Sequence, residues 1–200
     1  TAPPGITAAT GVDALTHAIE AYVSVMASDY TDGLALHAIE MVFTYLEKSY
    51  NGDPLAREKM HNASCIAGMA FTNAFLGLNH SMAHKLGAFH HLPHGVANAI
   101  ILPTVMEYNA PCTGTKFKDI AIAMGVEGVE NMTQEEYRKA AVDAVKKLSA
   151  DVGIPADLKE ILKPEDVDFL SQSAMDDACR PGNPKDPSFE DIKNLYLSLM

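Results

Sequence analysis

Basic residues are scarce in this sequence: 15 Lys+Arg stand against 26 Asp+Glu in 200 residues, a formal net charge of −11. Nucleic-acid phosphates and anionic lipid headgroups both require a basic face, so neither is expected as a partner. Apolar runs are short, and none approaches the ~18 residues of a membrane span. No charged-then-apolar leader opens the chain. Cysteine is rare too, with Cys65, Cys112 and Cys179 far apart and odd in number. That excludes a disulfide framework and a Cys-rich zinc site, and it suits a cytoplasmic protein. No strand-like alternation of useful length occurs. Also missing are a G-x-G-x-x-G after a strand, a P-loop and a G-x-S-x-G elbow, so neither a phosphate cradle nor a serine hydrolase is expected. The first residue is Thr rather than Met, which predicts a piece of a longer protein.

The residues that are there read as helix. Hydrophobic residues make up 48% and charged residues 20%, the composition of a folded domain. Helical periodicity is expected from Thr10, as N-cap, to near Met26, and from Thr31 to Tyr50. A third helix starts at Asp53-Pro54 and runs to near Leu76. Its segment from Cys65 to Phe71 is apolar nearly all round, which predicts burial with Cys65 as a core residue. A short helix over His80–Ala88, a turn at Pro93 and a helix from His94 follow, with Pro103 ending or kinking the last. Further helices fit Phe117–Met124, Thr133–Asp151, Pro164–Ala178 and Phe189–Leu199. Thr133 to Glu136 reads as a capping box and Ser188 as a cap. Gly153–Pro155 and Arg180–Pro187 read as loops. The expectation is a single all-α domain of about eight or nine helices over residues 1–200.

Chemistry is concentrated in the histidines. Five of the eight, His80, His84, His90, His91 and His94, fall in one short stretch. Asp13 and His17 are four apart on an apolar helix and share a face, as do His80 and His84. Two such pairs can converge on one point, where three imidazoles and a carboxylate make an N₃O site for a divalent metal. The plainer readings are an intrahelical Asp–His hydrogen bond and a surface histidine cluster. Against them, an ionised Asp among apolar residues needs a partner, and a cation supplies one. Spacing does not choose among His80, His84 and His94. His90 and His91 read as surface residues, and His37 and His61 as structural ones.

Gly11-Val-Asp13-Ala-Leu-Thr-His17-Ala-Ile-Glu20-Ala-Tyr22 resembles the first metal-ligand signature of the iron-containing (group III) alcohol dehydrogenases. The stretch from Gly77-Leu-Asn-His80-Ser-Met-Ala-His84 through Pro93-His94-Gly95 to Asn98 resembles the second. Similarity continues to Asp176-Asp177-Ala-Cys179 and Gly182-Asn183-Pro184. The sequence is similar to the propanediol (lactaldehyde) oxidoreductase branch and to the alcohol dehydrogenase half of the bifunctional aldehyde–alcohol dehydrogenases.

The resemblance implies the all-α C-terminal domain of that fold, shared with dehydroquinate synthase, without its N-terminal nucleotide-binding α/β domain. It implies Asp13, His17, His80 and His94 as metal ligands, with Fe²⁺ the usual ion and Zn²⁺ an alternative. It implies His84 as the non-ligand active-site histidine beside NAD(H) or NADP(H), and Phe71 and Cys179 as substrate-pocket residues. The implied reaction is hydride transfer between a small primary alcohol or diol and its aldehyde. The cofactor is held mainly by the other domain, and the full-length protein is expected to be a homo-oligomer. The alternatives are a zinc polyol dehydrogenase or a dehydroquinate-synthase-like lyase of the same architecture, and a non-catalytic assembly module.

Overall fold

The computed structural model describes residues 2–200. Among them are nine α-helices and no strand, which bears out the all-α expectation. Among the described residues no helix is long and apolar enough to cross a membrane.

Helix α1 spans Pro4–Val23 and begins six residues before Thr10. Pro4 sits in the first turn, where its missing N–H costs nothing. Thr10 is therefore interior, and its hydroxyl donates to the Ile6 carbonyl at 2.8 Å instead of capping. Helix α2 spans Asp29–Tyr50, two residues longer than expected because Ser28 and Thr31 cap it reciprocally.

Helix α3 spans Pro54–Ala74 and is capped by Asp53, which accepts from Ala56 N at 2.9 Å. The all-round burial expected for its second half is not found. Only Ala56, Met60, Ala63, Ala67, Ala70 and Ala74 are buried, at alternating spacings of four and three. This narrow seam lets α3 lie close against α1 and α2, while Cys65 and Met69 face outward. The helix is packed from one side only, so its apolar outer residues stay in solvent.

Helices α4 (Leu78–His90) and α5 (His94–Asn109) follow. Pro103 does not end α5. It is buried inside the helix, where packing against α1, α4 and α7 outweighs the one lost backbone bond. Helices α6 (Lys116–Ala123), α7 (Gln134–Asp151), α8 (Val167–Met175) and α9 (Phe189–Ser198) complete the chain. The capping box at Thr133 forms as expected, and the cap expected at Ser188 is a full capping box with Asp191. Helix α8 is shorter than expected at both ends. Pro164–Asp166 makes a 3-10 turn, and past the helix the Asp177 carboxylate accepts from the Cys179 N–H at 2.8 Å, a local bond that competes with the helix ladder.

Helix α1 is the shared element, packed against α2, α3 and α5, and α4 bridges α5 and α8. Leu15, Ile19, Ile39 and Leu46 are fully buried between them. Burying each such side chain is worth roughly 1.5–3 kcal/mol.

Two close approaches set the site. At the α3–α4 crossover Phe75 adopts φ 64, ψ −178, a region almost reserved for glycine. Its neighbours hold it there: Ser24 donates to the Ala74 carbonyl, and a Cβ on Gly182 would lie 2.0 Å from the Leu76 oxygen. At the start of α5, a Cβ on Gly95 would lie 2.4 Å from the backbone oxygen of Ala9. Only glycine lets α5 touch α1 there, one residue after His94. Gly95→Ala is expected to cost about 1–3 kcal/mol by overpacking, read as a lower urea midpoint of the metal-free chain with unchanged helical content.

Candidate metal centre

Asp13 and His17 lie one turn apart on α1, which fixes their carboxylate and imidazole on the face toward α4 and α5. The first turn of α4 brings His80, and the first residue of α5 brings His94. One donor atom from each of these four residues falls within 4.8 Å of every other. The His80 ring stacks on His17 at 4.7 Å between centroids and lies 5.3 Å from His94.

Asp13 Oδ1 is 3.7 Å from His80 Nε2 and 3.6 Å from His94 Nε2. Both are too long for hydrogen bonds. Donors each about 2.1 Å from a tetrahedral ion lie about 3.4 Å apart, close to these two Asp13 separations. His80 Nε2 is buried and has no hydrogen-bond partner. A buried polar atom left unpaired is costly, and a cation at the centre of the four residues satisfies it. The donor set of three imidazoles and one carboxylate suits Fe²⁺ or Zn²⁺.

A second layer holds these donors. Asn98 Nδ2 donates to Asp13 Oδ1 at 2.7 Å and lies 3.0 Å from His94 Nε2. Asn79 Nδ2 donates in turn to Asn98 Oδ1 at 2.8 Å, and both asparagines are fully buried. Glu20, two turns along α1 from Asp13, is 3% exposed. Its Oε2 pairs with His80 Nδ1, and its Oε1 accepts from Asn79 N at 2.8 Å. No local sequence pattern assigns these supporting residues a role. Glu20 carried one usable signal: it lies three residues beyond His17, on the same helical face as Asp13.

The remaining sequence-derived candidates fall beside the cluster. His84 Nδ1 donates to Asp177 Oδ2 at 2.9 Å, and its ring stacks 5.5 Å from that of His94. His84 is 42% exposed and His94 46%, so the centre opens to solvent on that side. Phe71 stacks on His17 at 4.5 Å. Cys179 adjoins Asp177, and burial together with that carboxylate pushes its thiol up to about 12, so it stays protonated. His90 instead faces Asp166 at 3.4 Å, and His91 is an exposed, left-handed residue capping α4. His37 and His61 are exposed, His37 beside Glu40 at 3.3 Å.

Electrostatics separates the imidazoles. Burial holds His17 down to about 4, against the opposing pull of Asp13. Burial likewise lowers His94. Burial also works to lower His80, but the Glu20 carboxylate, with Asp13 and Asp177 behind it, carries it above the ordinary value. Desolvation acts on Asp177 in the other direction, yet the Cys179 N–H and His84 hold its carboxyl below the usual range.

The sequence profile of the Fe-containing alcohol dehydrogenase family, C-terminal part, matches residues 7–200. Lactaldehyde reductase of Escherichia coli (strain K12) is 53% identical over 195 residues, covering 97% of this chain and 51% of that protein. The bifunctional aldehyde-alcohol dehydrogenase of the same organism is 40% identical over 218 residues, covering 98% of this chain and 24% of that protein. The crystal structure of a 1,3-propanediol oxidoreductase superposes with a TM-score of 0.97 at 39% identity, covering 100% of this chain and 53% of the other. The chain thus spans about half the length of relatives such as lactaldehyde reductase.

The His17 shift has a definite sign. With a folded value near 4 and an ordinary value of 6.5, the unfolded chain binds the extra proton between those limits. His17 therefore contributes stability above pH 6.5 that is lost as pH falls towards 4, about 1.4 kcal/mol per pH unit. Urea unfolding of the metal-free chain across that window is expected to be steeper in pH, by up to one proton, than that of His17→Gln.

Proposed function

The chain belongs to the Fe-containing alcohol dehydrogenase family, and from that membership we propose that it is the metal-holding half of a nicotinamide-dependent enzyme that interconverts a small primary alcohol or diol and its aldehyde. The observation that carries the reading is the buried, unpartnered Nε2 of His80, facing Asp13 and His94. Asp13, His17, His80 and His94 would hold the ion. A divalent metal there supplies a Lewis acid for the oxygen of the alcohol or aldehyde. Ferrous iron is the ion the family name carries, and on affinity alone Zn²⁺ competes for the same donors. Hydride chemistry belongs to a nicotinamide cofactor, whose phosphates find no glycine-rich cradle in this sequence.

The chain's own groups divide the remaining work. Asp177 accepts from His84 Nδ1, which leaves His84 Nε2 as the basic nitrogen on the open side of the centre. There it takes the proton that an alcohol hydroxyl gives up, and it returns that proton when an aldehyde is reduced. Its exposure lets the proton exchange with solvent. Phe71, stacked on His17, keeps water from one flank. The protonated Cys179 thiol offers a small, uncharged wall next to Asp177.

Elemental analysis of anaerobically purified chain tests the metal reading. About one equivalent of iron or zinc is expected, lost in Asp13→Ala and in His80→Ala; full occupancy in either variant would rule that residue out as a ligand. In the longer parent enzyme, His84→Asn is expected to keep its metal and lower kcat by roughly 10²-fold or more with an altered pH profile. Unchanged kinetics would remove His84 from the mechanism. The 200-residue chain alone is expected to show no NADH-dependent aldehyde reduction, and robust turnover would contradict the assignment of the cofactor to residues outside it.

A further inference from the structure

Helix α4 starts without a capping side chain of its own: its N-cap is Gly77. The free N–H groups of its first turn are taken up from a distance. Leu78 N donates to Asn183 Oδ1 at 3.1 Å, while Asn79 N and His80 N donate to Glu20 Oε1 at 2.8 and 3.4 Å. A Cβ on Gly77 would meet Asn183 Oδ1 at 2.8 Å and Glu20 Oε1 at 3.2 Å, so glycine there keeps the approach open. The other oxygen of Glu20 meets the His80 ring at Nδ1. One buried carboxylate from α1 thus grips both the backbone and the side chain of His80.

We propose that Glu20 is a positioning residue that fixes the His80 tautomer, directing the lone pair on Nε2 at the metal centre, and that its negative charge completes the charge balance of a divalent ion. A carboxylate only accepts hydrogen bonds, so the ring proton it engages sits on Nδ1. The neutral ring then has a single basic nitrogen, Nε2, the buried atom that lacks any other partner. Three neutral imidazoles and Asp13 offset one of the two charges of a divalent ion, and Glu20 sits one imidazole away with the second. Orienting partners of this kind are commonly worth 10- to 100-fold in metal affinity. The inference rests on the metal reading above, but the ring tautomer can be measured without metal.

Glu20→Gln tests it. The glutamine oxygen can still cap α4, but its amide donates to Nδ1, which drives the ring proton to Nε2 and turns an N–H toward the centre. Three readouts on the 200-residue chain distinguish the outcomes. Nitrogen-correlated NMR of the metal-free protein at alkaline pH should show His80 protonated at Nδ1 in wild type and at Nε2 in Glu20→Gln. Chelator competition with Zn²⁺ should show a loss of about 10- to 100-fold in the variant. The ligand-field spectrum of the Co²⁺-loaded protein should change in the same variant. Ser24→Ala weakens the same crossover without touching His80, so it should lower the thermal midpoint and leave Zn²⁺ affinity within about twofold. An identical His80 tautomer in wild type and Glu20→Gln overturns the proposal. So does an equal loss of Zn²⁺ affinity in Glu20→Gln and Ser24→Ala. If wild type binds no Zn²⁺ yet shows the expected tautomer change, the metal reading fails and the positioning role of Glu20 stands.

Discussion

One carboxylate joins the two halves of this chain's chemistry. Glu20 leaves α1 sixty residues before His80 and ends inside the first turn of α4. An ionised group in that position would be prohibitive if it were unpaired. It is tolerated because a helix N-terminus presents unsatisfied N–H groups and a partial positive charge, and because an imidazole proton completes the set. The local packing follows from that. A side chain on Gly77 would crowd Asn183 and the carboxylate together, Gly182 must lack one to admit the crossover, and Phe75 is held in an unusual conformation beside them. A strained residue of this kind persists only where its surroundings over-determine it.

Much of the site was legible in the sequence because helical geometry is regular. Asp13 and His17 at a spacing of four had to share a face, and the histidine-dense stretch marked where other donors would come from. The resemblance to a known family selected His80 and His94 from that stretch, and the structure brings the four selected residues together. Glu20, Asn98 and Asp177 were less legible. Each acts through a partner 60 to 93 residues away, and no local pattern encodes such a pairing. Glu20 had the right helical phase, but phase alone does not separate a buried carboxylate from a solvated one.

Burial is less legible in a sequence than helix formation. Propensity and periodicity describe one helix at a time, whereas burial depends on how many neighbours that helix has. The segment from Cys65 to Phe71 reads as core by composition, yet α3 is covered on one side only and presents Cys65 and Met69 to solvent. Pro103 reads as a terminator or a kink, and α5, which is enclosed, continues through it. The boundaries of α1 and α8 moved for local reasons, a proline already suited to a first turn and an aspartate that takes a backbone N–H beyond the helix end.

The long chain separation between α1 and α4 has a thermodynamic meaning. The donor atoms converge only after both helices have docked, so an ion they hold is bound by the folded chain and has no comparable site in the unfolded one. Such a ligand shifts the folding equilibrium by mass action, by about 2.7 kcal/mol at a free concentration one hundred times its dissociation constant. On the scale of ordinary domain stabilities of about 5–15 kcal/mol, that is a large share. Metal supply would then set the lifetime of this protein against proteolysis as well as its chemistry.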